Sequence, residues 1–585
     1  MTTISPANPD FKTLCRKAAT EFLLTAIFID DEIQIIPDAE KLGQPQSAIP
    51  PVDPVTGQQF VIEKDSNPQL ALVAITGQPS IEDPKTPNLV DAEELIDAFL
   101  EHEVICSVVK MNIDSDTKNT LAAARIADVL ILDWFLDSTN QNSSKTRDLI
   151  CSVLKTDESL GGRLRLICVY TGMPRIDELA VLLLKDILDV SALQGFTILP
   201  DEPTVIQSRN AKIVFANKLS VGDSEKSMGL RQLPDFVADH FSDLAQGLLP
   251  ATVVGAVAAI RKTTHHLIAT FHPDLDGAFA AHRLMIPNRE DAKPFLLDLI
   301  LDELRNNILD SDNVELLNTS QAFHTWMDQK ATINPQSFGL PTEASVREVL
   351  RYIENFVPAQ LSDYSTALAQ AVTAQNFAGE RMTKSQFMSG FDEFPQVFYS
   401  TSESCRAHTN KFSEIVVLAR STGLRTSLLQ KWIPRLNLGT IVRPLSSDVK
   451  AQLGLDADDV LICIQPSCQC LRIDQEGRAF PFLRATPPVK MKFNYIWNGS
   501  QFQVDPHLFN LKMLKFTPSE NSNGCILATK KESIWIFLSE EREFEWLADI
   551  RPLFAQRLSA GLSARTAAVG TDQFEWLRRK EKGGW

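Results

Sequence analysis

No apolar run in the chain reaches the roughly 18 residues that a membrane-spanning helix requires. The longest, Leu249–Ile260, is an Ala/Val-rich stretch of about a dozen residues, short enough to read as a buried helix. The opening residues, MTTISPANPDFK, lack the basic-then-apolar pattern of an export signal. Nine cysteines are scattered without the spacing of a disulfide framework, which fits reduced thiols and a cytoplasmic location. A formal net charge of −17 disfavours bulk nucleic-acid binding and leaves room only for a local basic patch. No segment repeats at a fixed period. What remains is a soluble globular composition, 44% hydrophobic and 22% charged. At 585 residues the chain is too long for one core, so three or four domains are expected, or fewer if one is large.

The first 245 residues alternate short apolar runs with helical stretches. FLLTAIFI (22–29), Val104–Val109, ADVLILD (127–133), RLRLICVY (163–170) and KIVFAN (212–217) read as strands buried on both faces. Helices are expected at 11–20, Val90–Glu103, Leu121–Ile126, Lys145–Leu154 and Ile176–Val190. A Pro-rich stretch at about 36–89, with short strands at most at Phe60–Glu63 and Leu70–Ile75, reads as an insertion. The βα alternation calls for a five-stranded, doubly wound parallel sheet.

In such a sheet the C-terminal strand ends open on one edge, where ligands bind. That edge collects Asp30 and Asp31 from the first strand, Asp133 from the third, Thr171 from the fourth and Lys218 from the fifth. Three carboxylates make an oxygen-rich site for a hard divalent cation such as magnesium. A carboxylate can attack phosphorus to give an acyl phosphate, while a metal, a hydroxyl and an ammonium share the phosphoryl charge. The plainer reading of the acids is a solvated loop start.

Taken together, these positions resemble the receiver domain of two-component response regulators, with a flavodoxin-like fold over roughly residues 20–240. The resemblance implies that Asp133 accepts the phosphoryl group. Asp31 would bind magnesium directly, Asp30 through water, and the carbonyl of Phe135 would complete the protein ligands alongside Asp133. It implies that Thr171 and Lys218 contact the phosphoryl oxygens. Phe215 stands where receivers keep the aromatic that swings inward on phosphorylation. Two positions depart from the receiver pattern: Leu219 follows the lysine in place of proline, and Asp137 ends DWFLD where proline is usual.

Residues 246–400 read as mainly helical, with helices at Thr252–Ala269, Ala278–Leu284, Asp291–Leu309 and Val346–Phe356 after one at Pro234–Leu248. His265 and His266 suit either a phosphotransfer helix or an ordinary packed or surface position. Residues 401–585 read as a β-rich α+β domain. Strands are expected at Glu414–Ala419, Val460–Gln465, Cys470–Ile473, Phe480–Leu483, Lys490–Trp497, Cys525–Thr529 and Ile534–Leu538. Asn498-Gly499 is a hairpin signal, and helices are expected at Glu541–Leu562 and Gln573–Lys582. Cys405, His408, Cys468 and Cys470 can be set out as zinc ligands, although C-x-x-H with C-x-C is not a common spacing and buried free cysteine is the simpler reading.

The phrases THHLIATFHPDLDGAFAAHRL, CIQPSCQCLRI, FEWLADIRPLFAQRL and FEWLRRK resemble response-receiver proteins of bacterial phage-defence operons, including the stand-alone receiver of the Detocs type. That resemblance implies a partner histidine kinase, an effector of the same operon, and a buffer or relay role rather than an enzymatic one. No catalytic motif or helix-turn-helix stands out in residues 250–585. The alternatives are a phosphorylation-independent scaffold and an effector or transcriptional regulator with its output in that half.

Overall fold

The computed structural model describes residues 10–34, 90–111, 117–136, 143–219, 226–286, 292–329, 331–358, 364–422, 432–488, 495–519, 522 and 524–567. The expected insertion at 36–89, Asp137 and the helix at Gln573–Lys582 lie outside them. The chain forms two compact units, Lys12–Arg261 and one built from Lys262 onward.

The first unit begins with α1 (Phe11–Phe22) and β1 (Thr25–Asp30) and continues with α2 (Ala92–Leu100) and β2 (Ile105–Lys110). Then come α3 (Thr117–Ile126), β3 (Val129–Leu132), α4 (Ser144–Ser159), β4 (Arg165–Thr171) and α5 (Ile176–Asp189). It ends with β5 (Thr197–Leu199), β6 (Glu202–Gln207), β7 (Ala211–Lys218), β8 (Ser227–Met228), α6 (Leu233–Leu244) and the start of α7 (Leu248–Thr270). The sheet order is β2-β1-β3-β4-β7-β6-β5, with β8 beside β7. Strands β2, β1, β3, β4 and β7 are mutually parallel. Every residue of β3, β4 and β7 is buried, as strands covered on both faces must be. On one face Ile27, Leu130, Ile167 and Ile213 pack with α3, α4 and α5 side chains such as Ala124, Ile150 and Leu183. Alternate residues face the other way, on the side of α1, α2 and α6. There Phe22 stacks on Phe241 and Arg16 pairs with Asp235 and Asp239.

The five expected strands are thus the core of a larger, mixed sheet of eight. The additional hairpin, β5–β6, pairs antiparallel with β7. Its sequence, TILPDEPTVIQ, carries two prolines that argue against a strand. Pro203 is accommodated because it precedes the first rung with β7 and lies beside the irregularity between Ile198 and Leu199.

At the N-terminal ends of the strands the chain is tied by charge. Arg165 is fully buried, pairs with Asp157 at 2.7 and 3.0 Å, and donates to the carbonyls of Ala124 and Ala127 at the end of α3. Asp128 accepts from the amides of Leu24 and Thr25, and Arg261 of α7 donates to it at 3.0 and 2.8 Å.

In the second unit come α8 (Asp276–Met285), α9 (Ala292–Leu309) and a helical cluster around Met327, Val349, Leu368 and Phe387. A ten-stranded antiparallel sheet follows. The expected strand at Glu414–Ala419 is instead the end of helix Ser402–Val417, with a strand at Leu418–Ser421. Cys470–Ile473 is a turn, with Arg472 at φ 61°. Residues 541–550, expected to be helical, carry strand Arg542–Ile550, and the helix begins only at Pro552. That strand is buried at five successive residues and shifts register opposite Ile441 and Val442, so its alternation is lost and it mimics a buried helix.

Asp157→Ala leaves the Arg165 guanidinium buried without its counter-ion, which costs about 3–5 kcal/mol. Amide hydrogen exchange in β4 should accelerate accordingly, whereas Arg175→Ala, at an exposed pair, should leave it unchanged.

Candidate functional site

The strand ends meet as the topology requires. Asp30 ends β1, Asp133 follows β3, Thr171 ends β4 and Lys218 ends β7. All four are buried, as is Asp31. The ammonium of Lys218 donates to Asp30 Oδ2 at 2.8 Å and to Asp133 Oδ2 at 3.0 Å. The second oxygen of Asp30 accepts from the Glu32 amide at 2.7 Å, and that of Asp133 from the Trp134 amide at 2.6 Å. Ligand oxygens of Asp30, Asp31 and Asp133 lie within 4.8 Å of one another.

Asp31 differs from its neighbours in that both of its carboxylate oxygens are buried without a hydrogen-bond partner. Burial, and then the charge of Asp30, push its carboxyl up to about 6. Asp30 is also held at about 6, by burial first; Lys218 opposes that shift and Asp133 adds to it. Burial alone would lower the Lys218 pKa, but the charges of Asp133 and Asp30 outweigh it and the ammonium stays protonated. Three carboxylates against one ammonium leave an excess of two negative charges. The orphaned oxygens, the all-oxygen donor set and that excess fit a hard divalent cation.

Residues 22–222 match the family model of the response receiver domain. The receiver domain is a module of two-component signalling, and its phosphodonor is a partner such as a histidine kinase. No curated protein and no solved structure matches the chain.

Within this receiver domain the side chain of Thr171 accepts from the Met173 amide at 3.3 Å. Phe215 is turned inward, buried, with its ring 6.0 Å from that of Trp134. Phe135 is half-buried just beyond Asp133. Leu219 is exposed.

Two residues that the sequence reading passed over hold the loops in place. Thr146, in the first turn of α4, donates to the carbonyls of Asp133 and Trp134 at 3.0 and 2.9 Å. Asn217 is buried next to Lys218 and donates to the carbonyls of Thr171 and Met173 at 3.3 and 2.6 Å. An amide at the end of the otherwise apolar IVFA run was the available signal.

The other candidates are not assembled. His265 and His266 are exposed on α7. Cys405, His408, Cys468 and Cys470 do not come together: among the described residues the three aspartates are the one group placed to hold a metal. Cys470 donates instead to the carbonyls of Gln465 and Pro466. No helix among the described residues is long and apolar enough to cross a membrane.

The raised carboxyls carry a pH signature. Their folded pKa of about 6 lies above the ordinary 3.8, so the associated stability is fully present below pH 3.8 and is lost as pH rises through 6. Asp31→Asn should therefore stabilise the metal-free protein at pH 8 by about 1–2 kcal/mol, discounted for partial solvent screening. The gain should shrink below pH 6. Chelator-treated protein unfolded thermally at the two pH values reads the difference.

Proposed function

We propose that the chain is a phosphoryl-accepting receiver that takes its phosphoryl group on Asp133 from a partner histidine kinase. The observation that carries this reading is the Lys218 ammonium seated between Asp30 and Asp133 at 2.8 and 3.0 Å, beside an Asp31 whose oxygens have no partner. A structural ion pair needs neither the third carboxylate nor its burial, both of which oppose folding.

Lys218 and the Trp134 amide hold the Asp133 carboxylate oriented at the strand end. One of its oxygens attacks the phosphorus of the donor phosphohistidine. The O–P bond forms as the P–N bond breaks, and the imidazole leaves with the electron pair and takes a proton from solvent. Lys218 can then pair with the phosphoryl oxygens, and the Thr171 hydroxyl can donate to them. Magnesium, held by Asp31, Asp133 and the Phe135 carbonyl with Asp30 beside it through water, would supply the remaining charge neutralisation. The fully buried β4 and β7 keep these groups on a rigid edge.

The chain acts here as acceptor rather than as enzyme. With no catalytic motif evident in its second half, a buffer or relay serving an effector of the same operon, in anti-phage defence, suits it best. In that role it works in the cytoplasm.

Asp133→Asn should abolish labelling by a cognate kinase and ATP, or by a small phosphoryl donor, as read on a phosphate-affinity gel. Thr171→Ala should only slow it, by about 10–100-fold. The label should be released by hydroxylamine. Labelling of Asp133→Asn equal to wild type, or none in wild type with an active kinase, would favour a scaffold that docks partners without phosphorylation, or an output seated in residues 250–585. Magnesium should quench or shift tryptophan fluorescence through Trp134, and Asp31→Ala should lose that response.

A further inference from the structure

Between Lys262 and Leu309 the chain is helical but has almost no core: among the described residues of this stretch only Ala292 is buried. The apolar side chains are there, turned to the surface. Ile268, Leu284 and Met285 are 64%, 67% and 84% exposed, and Leu297 and Leu301 are 49% and 59% exposed. An isolated helix of this length is marginal in water, and a soluble chain rarely leaves so many large apolar side chains of one stretch uncovered.

The pattern on α9 indicates what covers it. Leu297, Leu301, Leu304 and Ile308, the first two exposed and the last two half-buried, follow one another at steps of four, three and four, the seam spacing of a two-stranded coiled coil. Asp298 and Arg305 each directly follow a seam residue, so they lie on the same edge of it, one turn-pair apart. Both are exposed, and neither makes an ion pair among the described residues. When two such helices run antiparallel about a two-fold axis, Leu297 layers against Ile308 and Leu301 against Leu304 of the other copy. The same register sets Asp298 against Arg305 twice, once on each side of the axis. A parallel pairing leaves Arg305 opposite Ile300, without a counterpart. An isologous contact of this kind needs one surface that is complementary to itself, which this stripe is.

We propose that α9 is a self-association surface on which a second copy of this chain packs antiparallel, closed by two reciprocal Asp298–Arg305 ion pairs. The seam alone falls short of the roughly 800 Å² per partner of a stable dimer. Helix α8, which meets α9 where His282 lies 4.8 Å from Phe295, adds Leu284 and Met285 beside it. The inference stands apart from phosphorylation and holds whether or not Asp133 accepts a phosphoryl group.

The test is sedimentation equilibrium of the full-length chain and three variants, with helix content followed by circular dichroism. Wild type should be a dimer. Leu301→Glu, which places a charge in two layers, should raise the dissociation constant by about 100-fold or more. Asp298→Arg should raise it by about 3–10-fold through like-charge repulsion at both edges. Adding Arg305→Asp to Asp298→Arg should restore the wild-type value, because the swapped pair is again reciprocal. A monomeric wild type would overturn the proposal and leave the face to another segment of the chain or a different protein. A dimer indifferent to Leu301→Glu, or a double variant no tighter than Asp298→Arg, would overturn it as well.

Discussion

The arrangement of the N-terminal unit depends on one buried ammonium. Asp30, Asp31 and Asp133 are brought within 4.8 Å of one another at buried positions. Such a cluster is repulsive by construction, and burial raises the cost of each charge. Lys218 bonds two of the three and reduces the net charge to a value that a single divalent cation matches. It reaches them only because β7 lies two places from β3 in the sheet, with β4 between. The parallel order therefore assembles the cluster: residues 188 positions apart, Asp30 and Lys218, become hydrogen-bond partners.

The two ends of the sheet are opposite in chemical character. At the C-terminal edge, acids converge around one lysine. At the N-terminal edge, arginines converge on acids and on helix carbonyls, with Arg165 on Asp157 and Arg261 on Asp128. Arg261 also lies over the ring of Phe22, 4.9 Å from its centroid. Strand β3 spans the two, with Asp128 before its first residue and Asp133 after its last. The starts of β1 and β3 are thus pinned by Asp128, at the edge opposite the acidic cluster.

Much of the N-terminal architecture was legible because buried parallel strands write themselves as short, uninterrupted apolar runs, such as VLIL and RLICVYT. Their terminal polar residues stand out against that background, which is how Asp133 and Lys218 could be singled out. The β5–β6 hairpin was hidden by its prolines. Asn217 and Thr146 act through main-chain carbonyls, contacts that no residue pattern specifies. In the second unit the strand Arg542–Ile550 looks helical in sequence because a bulge breaks its alternation. The candidate zinc ligands failed for a different reason: spacing along the chain says nothing of where a helix and a distant turn lie in space.

Phosphoryl acceptance at Asp133 would be a covalent bond at one carboxylate, and that bond can be read directly. The full-length chain, incubated with its phosphodonor, is reduced with borohydride, which converts an aspartyl phosphate to homoserine and leaves free carboxylates untouched. Peptide mass spectrometry should then find homoserine at position 133 and at no other aspartate. Homoserine at Asp30 or Asp31 instead, or an unmodified Asp133 in a chain that has demonstrably taken up phosphate, would contradict it.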